Sequence, residues 1–399
     1  MPFCPRRRRV LKFVHCARRR RVRKLVGVKR AEASATPGCR NQKTAGTLKG
    51  VRGVPDTLSG CGFLSCRHIP GVRKKRVPLA NFLAPLRGAH QLTVIKPKAL
   101  KAGDTIGIVA PASNIKKDLL EQGCRELESL GFKTYFRSDI ISSFRYFSGS
   151  RERRLGEFLE MLSSPDIHAI FCARGGYGSG HLIPSIPAEL IRENAKIVNG
   201  SSDITILLNW IERSGVVSFH GPMVATAIRE GTSGYDRSAL IDLLKGKQAV
   251  RFPVEGTSVL RPGVGEGRLI GGCLSLVIAT LGTKHEIDTQ DAILVLEDAD
   301  TKPYQVDRML THLKQAGKFE GVRGIVFGEM PNCIQNASQG YTLQEILVDL
   351  LDEFTFPILY GFPTGHTSRP NVIVPFGVRA RLDLTSSAPI FELLESAVI

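Results

Sequence analysis

Lys196-Ile-Val-Asn-Gly-Ser-Ser-Asp-Ile-Thr-Ile-Leu-Leu-Asn-Trp210 decides how this chain is read. Its apolar opening stops at Asn199-Gly200. After Ser201, Ser202 and Asp203, the residues Ile204, Leu207, Leu208 and Ile211 recur at i, i+3, i+4 and i+7. The switch from a short apolar run to a helical period predicts a strand that turns abruptly into a helix. Such a bend lifts its central residue out of the sheet and aims the free N–H groups of the first helical turn at it. A serine in that place has an exposed hydroxyl beside donors for an oxyanion, as acyl transfer requires. The usual form of this turn is Gly-x-Ser-x-Gly. Here Gly200-Ser201-Ser202-Asp203 puts Ser202 at the nucleophile position.

Working outward, apolar runs alternate with amphipathic stretches. Residues 105–110 read as a strand ending in Pro111-Ala-Ser113, and 118–130 as a helix carrying Leu119, Leu120, Leu127 and Leu130 and closed by Gly131. A helix over 151–162 and strands over 168–172 and 196–198 follow. Beyond Met223 come the polar Gly231-Thr-Ser-Gly-Tyr235 and Pro262-Gly-Val-Gly265, read as a link. Past it lie strands over 292–296, 324–327 and 357–360, with helices over 306–317 and 343–354. Alternation of this kind predicts parallel strands layered with helices, an α/β fold. The expected organisation is an N-terminal nucleophile domain over 91–225, a link over 226–267 and a smaller C-terminal α/β domain over 268–399.

Charge is divided unevenly. Residues 1–90 hold 23 Lys/Arg against Glu32 and Asp56, which leaves 32 Lys/Arg and 35 acids for the rest, so the net +18 belongs to the extension. Arg6-Arg-Arg-Arg9, Arg18-Arg-Arg-Arg21 and Arg73-Lys-Lys-Arg76 sit there without an apolar period. Three readings stay open: a basic arm for nucleic acid or anionic surfaces, an Arg-rich organelle transit peptide, or upstream sequence brought in by a mistaken start codon. The near-neutral body argues against nucleic-acid binding except through this extension. No apolar run reaches the ~18 residues of a membrane span. Cys124, Cys172, Cys273 and Cys333 are too scattered for a zinc site or a disulfide framework, which fits a reducing compartment. The expected location is the bacterial cytoplasm, or an organelle if the extension is a transit peptide.

A serine nucleophile needs a base, and the base an acid to fix its tautomer. In open α/β sheets such groups gather at the carboxyl ends of strands. Glu297 closes the run 292–296 and is followed by Asp298. His366 lies in Tyr360-Gly-Phe-Pro-Thr-Gly-His-Thr-Ser-Arg369, just past a strand. Taken alone, Ser202 is equally a helix N-cap, Glu297 a surface carboxylate at a strand end, and His366 a loop residue bonded to backbone. His220, in Phe219-His-Gly-Pro-Met223, is a rival base, and Glu329 a rival acid. Arg174-Gly-Gly-Tyr-Gly-Ser-Gly180 lacks the glycine spacing of a dinucleotide fingerprint, and Pro184 and Pro187 interrupt any helix after it. It reads better as a loop whose N–H groups approach a substrate oxygen.

Taken together, these segments resemble the LD-carboxypeptidase family of serine peptidases, which includes the microcin-immunity peptidases. The likeness rests on Gly103-Asp-Thr-Ile-Gly-Ile-Val-Ala-Pro-Ala-Ser113, Arg174-Gly-Gly-Tyr-Gly178, Gly200-Ser-Ser-Asp203 and His220-Gly-Pro-Met223. It continues through Gly271-Gly-Cys-Leu-Ser275, Leu296-Glu-Asp298, Pro303-Tyr-x-x-Asp-Arg-Met-Leu310 and Gly365-His366, in family order over about residues 95–395. The resemblance implies a Ser202–Glu297–His366 triad. It implies an oxyanion hole from the N–H of Asp203 and of a glycine in the Gly175-Gly176 pair. It also implies two domains that share the triad, often a homodimer, and no cofactor or metal. The implied reaction is removal of a terminal D-alanine from murein tetrapeptides during cell-wall recycling; cleavage of peptide–nucleotide or related amide conjugates is the alternative.

Within that pattern Cys273 stands where the family usually has Asn, and Thr301 where an acid is common. A thiol donates hydrogen bonds more weakly than an amide, so substrate contacts at Cys273 are expected to change. Arg174 is the expected contact for a substrate carboxylate. The Pro303–Leu310 pattern lies closer to the murein enzymes than to the immunity branch.

Overall fold

The computed structural model describes residues 94–399. The basic extension over 1–90, with the three readings it leaves open, lies outside the described residues. Among the described residues, thirteen strands form two sheets. The first contains β1 (Thr105–Val109), β2 (Lys133–Tyr135), β3 (Ala169–Cys172), β4 (Ile197–Gly200) and β5 (Ser218–His220). The second contains β6 (Ser258–Arg261), β7 (Val264–Cys273), β8 (Ala292–Glu297), β9 (Gly324–Gly328) and β10 (Ile358–Phe362). Of the last three strands, β11 (Val374–Phe376) returns to the first sheet, while β12 (Arg379–Asp383) and β13 (Ile390–Leu393) edge the second. The orders are β11-β5-β4-β3-β1-β2 and β13-β12-β7-β8-β9-β10-β6.

β2, β1, β3, β4 and β5 run parallel, and β7, β8, β9 and β10 likewise. Antiparallel strands occur only at the flanks of these blocks. This is the α/β architecture expected from the alternation of apolar runs and amphipathic stretches. The central strands β3, β4, β8 and β9 are buried at every position, as parallel strands covered on both faces must be. Apolar contact is therefore continuous from Ile106 in β1 to Phe391 in β13.

Eight α-helices among the described residues cover the sheets. They are α1 (Lys117–Ser129), α2 (Arg151–Ser163), α3 (Ala188–Glu193), α4 (Thr205–Arg213), α5 (Arg237–Leu244), α6 (Leu274–Thr280), α7 (Pro303–Gln315) and α8 (Leu343–Leu350). Helix α7 starts three residues earlier than its apolar period indicates. Pro303 takes the first helical turn, where a missing N–H costs nothing, and Gln305 accepts from the Lys302 N–H. Helix α8 stops at Leu350, four residues short of the expected end, with the Leu350 carbonyl taken by Lys314 Nζ at 3.0 Å. The segment 226–267, read as a link, contains α5, β6 and the start of β7. No helix among the described residues is long and apolar enough to cross a membrane.

Helix α4 joins the two sheets. Thr205 Oγ1, in its first turn, accepts from the Cys273 N–H at 3.0 Å, and Asn209 Nδ2 donates to the Gly271 carbonyl at 3.0 Å. Gly272 has φ +110°, and a Cβ there would lie 2.6 Å from Thr205 Oγ1. That glycine is needed both for its left-handed backbone and for this close approach. The ends of β4 and β7 are thereby brought together, and with them the residues that follow each strand.

Candidate active site

Strand β4 ends at Gly200, and Ser202 begins a single turn of 3-10 helix that leads into α4. Ser202 has φ +59°, a left-handed conformation that costs a non-glycine residue energy and tends to persist where function requires it. Ser201, extended at φ −152°, takes the N-cap position without a side-chain cap bond. Ser202 is thus at the bend itself and not the cap. Asp203 is buried. Its carboxylate accepts the Ser179 N–H at 2.8 Å and its carbonyl accepts from Ser179 Oγ at 2.5 Å, which locks the turn to the segment after β3. That leaves the Asp203 N–H in the first helical turn, where donors have no intrahelical partner.

The loop after β3 lies against this turn. A Cβ on Gly175 would sit 2.9 Å from Ser202 Cβ and 3.2 Å from the Asp203 nitrogen, so only glycine lets the backbone come so close. The Gly175 carbonyl accepts from the Ser113 N–H at 3.2 Å, and Ser113 Oγ accepts from the Tyr177 N–H at 3.1 Å. Because a trans peptide carries its C=O and N–H on opposite sides, the Gly176 N–H points away from Ser113. Arg154, which sequence reading overlooked, braces the loop from below. Its Nη1 donates to the carbonyls of Pro111 (2.7 Å) and Gly178 (2.8 Å), and its guanidinium lies 4.6 Å from the Phe147 ring centroid. The signal was present: Arg154, Phe158, Met161 and Leu162 share one face of α2, and all are buried.

The second sheet supplies a carboxylate and an imidazole. Glu297 ends β8 with no exposed surface. His366 donates its backbone N–H to Glu297 Oε2 at 2.9 Å, and its Nδ1 lies 2.7 Å from the same oxygen. A carboxylate only accepts, so Nδ1 carries the hydrogen and Nε2 is left with its lone pair. Burial raises the Glu297 carboxyl, but the bonds and charge from His366, with His220 behind, more than offset it; the group lies below the ordinary carboxylate value. Burial lowers His366, while its bond to Glu297 and the charges of Glu297, Asp298 and Asp300 carry it above the ordinary histidine value.

The rival residues have other positions. Glu329 accepts the Ser368 N–H at 2.7 Å and Ser368 Oγ at 2.8 Å, and pairs with Arg369, so it braces the loop carrying His366. His220 is fully buried at the end of β5 and does not line the cavity described below. Cys273 is buried at the end of β7, its Sγ 3.3 Å from Ser275 Oγ. Its sulfur, a Glu297 oxygen and a His366 ring nitrogen lie within 4.8 Å of one another. Burial, then the Glu297 and Asp298 charges, push the Cys273 thiol well above its ordinary value.

Ser202, Gly175, Gly176, Arg174 and His366 all border one cavity of about 820 Å³. Arg174 is exposed, with Nη1 3.4 Å from the Asn114 carbonyl. Lys116, Arg229 and Arg369 add positive charge to the walls, and Glu230 and Asp300 add negative. The arrangement can present a hydroxyl, a neutral imidazole nitrogen and backbone donors to one acyl group, which is the equipment of serine acyl transfer.

The chain is similar to known proteins over most of the described residues. Residues 106–221 match the model of the LD-carboxypeptidase N-terminal domain, and residues 266–382 that of the LD-carboxypeptidase C-terminal domain. A probable murein peptide carboxypeptidase from Bacillus subtilis is 36% identical over 316 residues, covering 77% of this chain and 97% of the relative. The microcin C7 self-immunity protein MccF of Escherichia coli is 30% identical over 320 residues, covering 71% and 92%. The crystal structure of an MccF-like protein from Bacillus anthracis superposes with a TM-score of 0.69 at 26% identity, covering 75% of this chain and 99% of that one.

Proposed function

The chain belongs to the LD-carboxypeptidase family of serine peptidases, and from that premise we propose that it removes the terminal D-alanine from murein tetrapeptides. Ser202 Oγ attacks the carbonyl of the penultimate residue while His366 Nε2 takes the hydroxyl proton. The tetrahedral oxyanion is held by the N–H of Asp203 and of Gly175 or Gly176. As the C–N bond breaks, His366 returns the proton to the departing D-alanine amine, leaving an acyl-enzyme. Water, activated by the same histidine, then releases the tripeptide and restores Ser202. Glu297 keeps His366 in the productive tautomer and balances its charge. Nucleophile, base and acid are all side chains, so the reaction needs no metal or cofactor. Arg174 receives the carboxylate of the departing residue.

The observation that carries this reading is the 2.7 Å contact between His366 and the buried Glu297, with Ser202 at positive φ on the same cavity. The murein substrate is favoured by the higher identity to the murein peptide carboxypeptidase, 36% against 30% for the immunity protein. That second likeness supports the other reading, hydrolysis of a peptide–nucleotide conjugate at the same site. A place in cytoplasmic cell-wall recycling and a homodimeric assembly belong to the main proposal, and sedimentation of the full chain reads the assembly directly.

The test is D-alanine release from a murein tetrapeptide by the full chain, beside hydrolysis of an aminoacyl-nucleotide conjugate and with a chelator present. Chelator-resistant release with little conjugate turnover is expected, and Ser202→Ala should lower kcat by roughly four or more orders of magnitude. Turnover of the conjugate alone would replace the murein reading.

A further inference from the structure

One group beside the proposed triad has no part in the chemistry above. His220 is the last residue of β5, has no exposed surface and stacks on Phe376 with centroids 5.5 Å apart and rings 15° from parallel. Among the described residues, neither ring nitrogen has a hydrogen-bond partner. Glu297 Oε1 is likewise buried without one. The two orphans face each other, with His220 Nε2 3.7 Å from Glu297 Oε1. A buried polar atom left unpaired is destabilising, and here a donor and an acceptor stand one small ring movement from satisfying each other.

We propose that His220 is a positioning residue, whose Nε2–H holds the second oxygen of Glu297 so that the carboxylate is gripped between two histidines. The inference rests on the triad reading above. His366 fixes Oε2 from the loop after β10, and His220 fixes Oε1 from the first sheet. The acid of the second sheet is thereby registered against the sheet that carries Ser202. A carboxylate held at one oxygen can swing about its terminal torsion, which is broad; one held at both cannot, and the imidazole it orients stays in place.

Four groups face or adjoin this carboxylate: His366, His220, the Cys273 thiol and Asp298. Asp298 spends its own oxygens on the N–H groups of Ser275 (2.8 Å) and Ala299 (2.9 Å) and on Thr301 Oγ1 (3.0 Å). Among the described residues, His366 supplies the hydrogen bonds Glu297 receives, and His220 is the further ring donor that faces it. A neutral imidazole carries one ring N–H, and Glu297 Oε1 is the unpaired acceptor that His220 Nε2 faces. The inaccessibility of His220 separates it from the base.

The test compares the steady-state kinetics of the full chain with those of His220→Phe and His220→Gln. Phenylalanine keeps the stacking plane and loses the donor, while glutamine restores an N–H near the Nε2 position. Expected are a kcat loss of ten- to a hundredfold in the Phe variant with KM within about twofold, a displaced low-pH limb of kcat/KM, and recovery of both by Gln. Equal loss in the two variants, or none in Phe, overturns the proposal. Nitrogen-15 NMR of the unmutated chain is independent of variant folding: an Nε2–H tautomer for His220 is expected, and an Nδ1–H tautomer contradicts it. If Ser202→Ala retained activity, the triad reading would fall; if it abolished activity while His220→Phe matched wild type, only this inference would fall.

Discussion

The two sheets prepare their halves of the candidate site by different means. At the end of β4 the work is done by backbone: a positive φ at Ser202, a glycine pressed against it, and N–H groups at the start of a helix. At the ends of β8 and β10 it is done by side chains, with Glu297 buried and His366 drawn onto it from 69 residues away in sequence. The first half is made of local conformation and the second of long-range pairing. Local conformation is set by a handful of adjacent residues, whereas the pairing depends on a core that must already be assembled.

The carboxylates at the ends of neighbouring strands offer the widest test of that contrast. Glu297→Gln keeps the shape but offers an amide that can stabilise the wrong histidine tautomer. A kcat loss of about 10³–10⁴-fold is expected, by analogy with the buried acid of other triads. Glu329→Gln loosens the loop through Ser368 and Arg369 and should cost only about tenfold, because Glu329 does not touch His366. Equal losses would mean that the loop, not the dyad, is what Glu297 maintains.

Gly175→Ala probes the backbone half. Its methyl would lie 2.9 Å from Ser202 Cβ, and the turn or the loop must move. A loss of about ten- to a hundredfold in kcat is expected, with the melting temperature little changed. Gly156→Ala, where an added methyl meets nothing within 4 Å, should match wild type and serves as the control.

Acidity reads the side-chain half. The base works neutral, and Glu297 carries the His366 pKa above the ordinary value of about 6.5. The rate should therefore fall as pH drops through that raised value, with the limb displaced to the alkaline side of an unperturbed histidine. For folding, a raised histidine adds stability below its unfolded pKa and loses it as pH rises through the folded one. His220 has the opposite sign: its pKa of about 4 means stability is lost as pH falls from about 6.5 toward 4. Melting temperatures of His220→Gln across that window should be flatter than wild type.

Zinc gives the smallest expected effect. Cys273, Glu297 and His366 form a donor set only because a cysteine stands at this position. Micromolar zinc should inhibit the wild type reversibly, and Cys273→Asn should need about tenfold more for the same inhibition, one ligand being gone. Identical inhibition curves would remove Cys273 as a zinc ligand.

Legibility in the sequence follows the same division. The bend at Ser202 and the buried strands β1, β3, β8 and β9 are visible as short apolar runs. β7 is not: its first half, with Gly265 and Gly267, falls in the stretch 226–267 read as a link, yet the strand lies inside its sheet between β12 and β8. Its glycines are there because neighbouring backbone crowds them; a Cβ on Gly267 would lie 2.7 Å from the Asp291 carbonyl oxygen. β11 and β13 are only three and four residues long, and the polar–apolar alternation of Arg379-Ala-Arg-Leu-Asp383 in β12 went unread. That β11 returns to the first sheet is a property of the assembled fold, invisible in Val374-Pro-Phe376. Choosing between His366 and His220, or Glu297 and Glu329, likewise requires burial, because all four stand at or near strand ends.

The central claim is that Ser202 and His366, held by different sheets, act as one unit. A double-mutant cycle of Ser202→Ala and His366→Ala, read as D-alanine release by folded full-length protein, tests it most directly. If the two are one unit, the double variant should be no slower than the slower single variant. Multiplying losses would contradict the account and leave each residue contributing on its own.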